Sequence, residues 1–208
     1  MALEFAFHIQ NRKFDYCLKG SKNDAISLLK LHGSINWSFC NNCNNISPLV
    51  FDRAFKLPHP EDARYEKKIC MRYYEQIQKR KHKCNNPDCT SSDIDDMPLI
   101  VPPTWNKTMY HSNISAVWKK AAEELSCAEN IIVIGYSLPE SDMFFRYLFA
   151  LGSISKTELK KFWVIDIDQT VEDRYERLVS GQIKRRGFKF IRDDFSGSLR
   201  ILSQALRN

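Results

Sequence analysis

Two cysteine pairs, Cys40-Asn-Asn-Cys43 and Cys84-Asn-Asn-Pro-Asp-Cys89, stand forty residues apart in a chain of 208. They restrict what this chain can fold into more than any other feature. Thiolates on two tight turns form a tetrahedral ligand set suited to zinc, and a shared ion forces the chain to return on itself between the pairs. The chain has seven cysteines, and its N-terminus, MALEFAFHIQNRKF, lacks the basic-then-apolar order of a secretory signal. Reduced thiols and metal ligation are therefore expected in place of a disulfide framework, in a cytoplasmic protein. Cys17, Cys70 and Cys127 read as ordinary buried or helical residues, and His82 is a spare ligand. Four ligands leave no open coordination position, so the expected zinc is structural. No apolar run approaches the roughly 18 to 20 residues that would cross a bilayer, which predicts no membrane partner.

Between the pairs, Tyr65, Ile69, Tyr73 and Ile77 recur every four residues and predict a helix from Glu61 to Lys83, acidic at its start and basic at its end. TSSDIDD after Cys89 predicts a loop. Residues 40–96 thus read as a zinc-binding insertion, and 1–39 with 97–208 as the main domain. The net charge of +6 is concentrated here, with ten Lys or Arg against four Asp or Glu from Arg53 to Asn86. KRKHK before Cys84 is its densest part, and a solvated helix face explains it more simply than a nucleic-acid partner.

Strands and helices then alternate. SLLKL (27–31) and PLIV (98–101) predict strands, and Ile114, Val117, Trp118, Ala121, Ala122 and Leu125 predict a helix capped by Ser112 or Asn113. IIVIG (131–135) predicts a strand, followed by a helix from Pro139 to Leu151 that Gly152 stops. FWVIDI (162–167) and FKFI (188–191) are further strands. Thr170 with Asp173 resembles a capping box for the helix between them, and a last helix spans 198–206. Helical crossovers of this length imply parallel pairing, hence an α/β fold with a doubly wound, Rossmann-like parallel sheet.

Three positions could carry chemistry. His32 closes the SLLKL run, at a strand end where open parallel sheets bind ligands. Gly135-Tyr136-Ser137 leaves a strand just before the expected helix at Pro139, so its backbone N–H groups and hydroxyl suit phosphate or ribose. Asp166, with Asp168 beside it, is placed to accept hydrogen bonds from ribose hydroxyls.

Together these residues resemble the sirtuin family, in particular its divergent bacterial branch. Leu31-His32-Gly33-Ser34, with Cys40 eight residues beyond the histidine, is similar to the family's histidine-glycine motif running into its zinc module. Ile134-Gly135-Tyr136-Ser137-Leu138 is similar to its glycine-threonine-serine segment, and Val164-Ile165-Asp166 to the strand end that lines the adenosine. The resemblance implies that NAD is the substrate and His32 the general base as nicotinamide leaves. Gly33, Gly135, Tyr136, Ser137, Asp166 and Asp168 would then contact NAD, and Cys40, Cys43, Cys84 and Cys89 would hold zinc. The family's Gly-Ala-Gly-x-Ser phosphate turn does not occur in the sequence, and no Asn-x-Asp stretch precedes His32, where the family has both. The expectation is a C-terminal portion of the family's domain, inactive or weakly active alone and completed by an N-terminal segment or a partner chain. The divergent branch is associated with cleavage of NAD by water and with defence against phage. Pro102 and Pro103 weigh against a deacylase, because adjacent prolines remove N–H donors needed to add a peptide strand; Trp105 and Lys107 are candidates to line the entrance, although an ordinary loop tryptophan is the simpler reading of Trp105. The alternatives are an NAD-dependent deacylase, a zinc-containing nucleic-acid-binding module and a non-catalytic scaffold.

Overall fold

The computed structural model describes residues 4, 7, 10–19, 24–48, 84, 86–90, 98–101, 111–152, 159–179 and 181–205. The expected helix at 61–83, the loop at 91–96, Cys70, His82, Pro102, Pro103, Trp105 and Lys107 lie outside the described residues. The chain divides into two compact units, Met1–Trp118 and Lys119–Asn208.

In the first unit, β1 (Phe14–Asp15) pairs in parallel with β2 (Ile26–Ser27). β3 (Trp37–Phe39) and β4 (Ile46–Pro48) form an antiparallel hairpin with Phe39 opposite Ile46. The SLLKL run is not a strand beyond Ser27, and Leu28, Leu29 and Leu31 pack instead against a core of Tyr16, Trp37, Ile46, Leu99, Val101, Ile114 and Val117. Tyr16 meets Trp37 edge-on at 5.2 Å between centroids, a favoured aromatic geometry. PLIV also departs from the expected strand, since only Ile100 forms a bridge, antiparallel to Gly33.

Helix α1 (His111–Cys127) follows. Ile114, Val117 and Ala121 are its buried stripe, at the spacing of one helical face. Ser112 and Asn113 lie inside this helix and not ahead of it, so neither is the cap expected from the sequence.

The second unit is built on three parallel strands in the order β5 (Asn130–Ile134), β6 (Lys161–Asp166), β7 (Phe188–Arg192). α2 (Met143–Gly152) connects the first two strands, α3 (Val171–Leu178) and α4 (Gly181–Arg186) the last two, and α5 (Phe195–Ala205) follows. Alternation puts Ile131 and Val133, Phe162 and Val164, and Phe188 and Phe190 on one face of the sheet. Phe145 and Phe149 of α2, Val171 and Tyr175 of α3, and Ile183 of α4 pack in that same cluster. Both crossovers therefore cover one face, which is what parallel strands joined in sequence order with a constant crossover hand require. Phe162 and Tyr175 are both fully buried, and each such ring stabilises by roughly 1.5–3 kcal/mol.

The protein is thus α/β with a parallel sheet. Among the described residues the order runs without reversal, so the doubly wound arrangement is not seen in this sheet. Between β6 and β7 there are two helices where the sequence predicts one; α3 ends at Leu178, and the extended backbone of Val179 (φ −84°, ψ 145°) breaks the helical run. Among the described residues no helix is long and apolar enough to cross a membrane.

Candidate metal centre

The first cysteine pair sits at the tip of the β3–β4 hairpin. Cys40 N–H donates to the Asn45 carbonyl (3.0 Å) and Asn44 N–H to the Cys40 carbonyl (2.8 Å), which closes the turn. Asn44 adopts a left-handed backbone, φ +55°, a conformation asparagine tolerates better than most residues. The second pair folds back through Cys89 N–H to the Asn86 carbonyl (3.0 Å).

The four sulfurs of Cys40, Cys43, Cys84 and Cys89 converge within 4.8 Å of one another. Cys40 and Cys89 are 3.8 Å apart and Cys43 and Cys84 3.4 Å. A tetrahedral site with zinc–sulfur bonds of about 2.3 Å needs sulfur–sulfur edges of about 3.8 Å. The donor set fits the ion in number, softness and span, so these residues could hold zinc. Four thiolates around a divalent cation leave excess negative charge, and N–H groups face it. Asn86 N–H lies 3.5 Å from the Cys84 sulfur, and the side-chain amide of Asn42 lies 3.5 Å from that of Cys89. Burial pushes both Cys43 and Cys84 up. Hydrogen bonding from Cys84 outweighs it at Cys43, bringing that thiol down to about 6, whereas Cys84, holding the shared proton, is pushed up to about 11. A thiol pair sharing one proton is a site where a metal ion replaces it.

His32 lies in a turn of the first unit, five residues past β2, and not at a strand end as the sequence suggested. Its carbonyl accepts from Val101 N–H (2.9 Å), and its Nδ1 is 3.2 Å from the Val101 carbonyl. With Nδ1 as donor there, Nε2 is the basic nitrogen. The ring also meets Trp118 edge-on, at 6.1 Å. Gly33 has φ +75°, and a Cβ there would fall 2.1 Å from the Leu99 carbonyl oxygen, so both conformation and close approach demand glycine.

The other proposed contacts are in the second unit. Gly135 turns the chain after β5 with φ +63°, in open space. Ser137 is not at a helix start, because α2 begins only at Met143. That start is occupied by Asp142, whose Oδ1 accepts from Phe145 N–H (3.2 Å) and whose Oδ2 accepts from the Tyr136 hydroxyl (2.6 Å). A carboxylate satisfies the helix N-terminus, so residues 135–137 do not stand at a helix start as the sequence suggested. Burial, and then Asp142, push the Tyr136 phenol up. Asp166 is buried and accepts from Asp168 N–H at 2.9 Å. Asp168 accepts from Thr170 N–H at 2.9 Å, and this bond, with Arg174 and Arg192 nearby, holds its carboxyl below the usual range. The first turn of α3 is thus served by Asp168, and Thr170 makes no side-chain cap, contrary to the expected capping box.

Residues that the sequence did not single out surround the His32–Gly33 turn. Lys30, Ser34, Asn36, Tyr16 and Glu4 are joined by hydrogen bonds and an ion pair. The available signal was Lys30 itself, a charge inside the apolar run SLLKL.

No family model matches the chain, and no curated protein matches it. Among solved structures, a chain described as "Structural Basis for the Mechanism and Regulation of Sir2 Enzymes" aligns at a TM-score of 0.34 and 16% identity, over 74% of this chain and 47% of that one. This chain spans about half the length of that one.

Proposed function

We propose that this chain is a sirtuin-like domain of the NAD-cleaving type, in which the four cysteines hold a structural zinc and His32 is the general base. One observation carries the proposal. Within residues 32–43 the chain builds a histidine turn with its imidazole engaged through Nδ1, and then a hairpin whose tip supplies half of a tetrahedral thiolate site. That is the sequence of parts on which the resemblance rests. Zinc braces the hairpin and takes no part in the bond-breaking step.

In hydrolysis the glycosidic bond from ribose to nicotinamide breaks, water oxygen replaces the nitrogen, and a proton is released. His32 Nε2 accepts a proton from the reacting ribose or water, while the Val101 carbonyl keeps the other ring nitrogen protonated. Gly33, Gly135, Tyr136, Ser137, Asp166 and Asp168 are the proposed NAD contacts. Of these, Asp166 and Asp168 already accept local N–H groups. They have oxygen lone pairs remaining for a ribose. No Gly-Ala-Gly-x-Ser stretch occurs in these 208 residues, so in this reading pyrophosphate contacts come from elsewhere and turnover by the purified chain is slow. A part in defence against phage belongs to the same reading.

Nicotinamide release from NAD, measured with and without an acetylated peptide, tests this. The expected result is slow release that ignores the peptide and disappears in His32→Ala. Release that requires the peptide makes the chain a deacylase. No release at stoichiometric protein, with zinc bound, makes it a non-catalytic module.

A further inference from the structure

The turn that carries His32 is flanked by a closed ring of five side chains. Lys30 Nζ donates to Ser34 Oγ (2.7 Å), Ser34 Oγ to Asn36 Oδ1 (2.5 Å), Asn36 Nδ2 to the Tyr16 hydroxyl (3.0 Å), and that hydroxyl to Glu4 Oε1 (2.9 Å). An ion pair between Glu4 and Lys30 closes the circuit. Lys30 Nζ also stands over the Tyr16 ring, 5.5 Å from its centroid. Glu4 is fully buried, and Tyr16, Ser34 and Asn36 are nearly so.

The protons in this chain can point only one way. An ammonium can only donate and a carboxylate can only accept, so Ser34 and Tyr16 each receive one hydrogen bond and give one, and the orientation of the Asn36 amide is fixed. Every bond is polarised from Lys30 toward Glu4, and such chains strengthen cooperatively in a low-dielectric interior. Burying an ion pair is a poor way to gain stability, because desolvation offsets most of the Coulomb attraction. It does specify geometry. The ring grips the backbone at residues 30 and 34, either side of His32–Gly33, and Gly33 N–H donates to the Lys30 carbonyl (3.1 Å) across the same turn.

We infer that Glu4, acting through Lys30 and the Ser34–Asn36–Tyr16 chain, is a positioning residue that fixes the turn presenting His32. The inference deepens the proposed function and rests on His32 being the base, while its structural half can be tested without turnover. Glu4 acts only through the ring and meets no reacting atom.

The test compares Glu4→Gln, Lys30→Met and the double variant Glu4→Met/Lys30→Met, reading the His32 imidazole resonances and their titration by NMR, urea unfolding and zinc content. His59, His82 and His111 are internal controls. Each single variant removes one member of the buried Glu4–Lys30 pair and lowers the unfolding midpoint; the apolar double variant recovers much of it. The His32 resonances and titration midpoint are displaced in all three, the control histidines are unchanged, and zinc content is retained. Nicotinamide release then falls in kcat with KM unchanged. If the His32 resonances in the double variant superimpose on those of the unmodified protein, the ring is structural only and the inference fails. Should these variants not fold, Ser34→Ala opens the ring at its mildest point, and unmoved His32 resonances there overturn the inference equally. If the unmodified protein releases no nicotinamide, the proposed function loses its support, yet the NMR comparison still decides whether the ring positions His32.

Discussion

Gly33 and Gly135 both adopt left-handed backbone, but for different reasons, and alanine substitution separates them. At Gly135 a Cβ meets nothing within 4 Å, so only the backbone penalty applies, about 1–2 kcal/mol. At Gly33 the Cβ also runs into the Leu99 carbonyl, and urea unfolding should show a loss larger by at least about 1 kcal/mol. Equal losses would mean that the 33–99 approach relaxes freely. Glu4 gives a prediction in pH. Burial raises its carboxyl, the hydrogen bonds and charges of Lys30 and of the N-terminal ammonium together outweigh this, and its folded pKa lies below the ordinary glutamate value of about 4.3. A depressed carboxyl contributes stability that is fully present above the unfolded pKa and is lost as pH falls through the folded one. The stability gap between the unmodified protein and Glu4→Gln should therefore be constant near neutrality and shrink in that acid window, as followed by urea unfolding at several pH values. The need for glycine after His32 was legible in the motif; its cause was not, since the Leu99 carbonyl is sixty-six positions away in sequence. Likewise Lys30 was visible as an odd charge, but Glu4 as its partner required the folded chain.

Elements were legible where pattern alone determines them. The apolar runs of β5, β6 and β7 and the stripe of α1 stand where period and composition put them. The ends were not legible in the same way. Proline favours a first turn, which points to Pro139 as the start of α2, but Asp142 supplies the cap three residues later and decides the boundary. SLLKL has strand composition, yet its leucines serve the core of the first unit from an irregular path. The β3–β4 hairpin leaves little trace in the sequence because its strands are only three residues long and its turn is closed by backbone bonds of Cys40, Asn44 and Asn45 and not by a glycine or proline signal. Gly187 tests how the β6–β7 pairing begins. A Cβ there would lie 2.3 Å from the Lys160 carbonyl, so Gly187→Ala should cost about 1–3 kcal/mol, read from unfolding of the second unit. For the hairpin tip, the purified protein should carry about one equivalent of zinc, and Cys43→Ser or Cys89→Ser should leave less than about a tenth of it, measured by elemental analysis.

At the scale of the whole molecule the two units provide independent readouts. The four thiols belong to the first, and the parallel sheet with its aromatic cluster to the second. Chelation should accelerate hydrogen exchange at residues 37–48 and 84–90 and leave β5, β6 and β7 protected; equal loss everywhere would make zinc a requirement for the entire fold. The alternation of strands and helices disclosed the α/β class. The winding of the sheet stayed hidden, since composition does not record which strands become neighbours. The meeting of Cys43 with Cys84 also bears on what the chain tolerates between them. A metal clasp that joins the ends of a forty-residue span removes about 4 kcal/mol of chain entropy from the unfolded state, and doubling the span adds only about 0.6 kcal/mol to the closure cost. Length between the two clasp halves is therefore nearly free to drift, and a reporter domain spliced there should leave the rest of the protein intact.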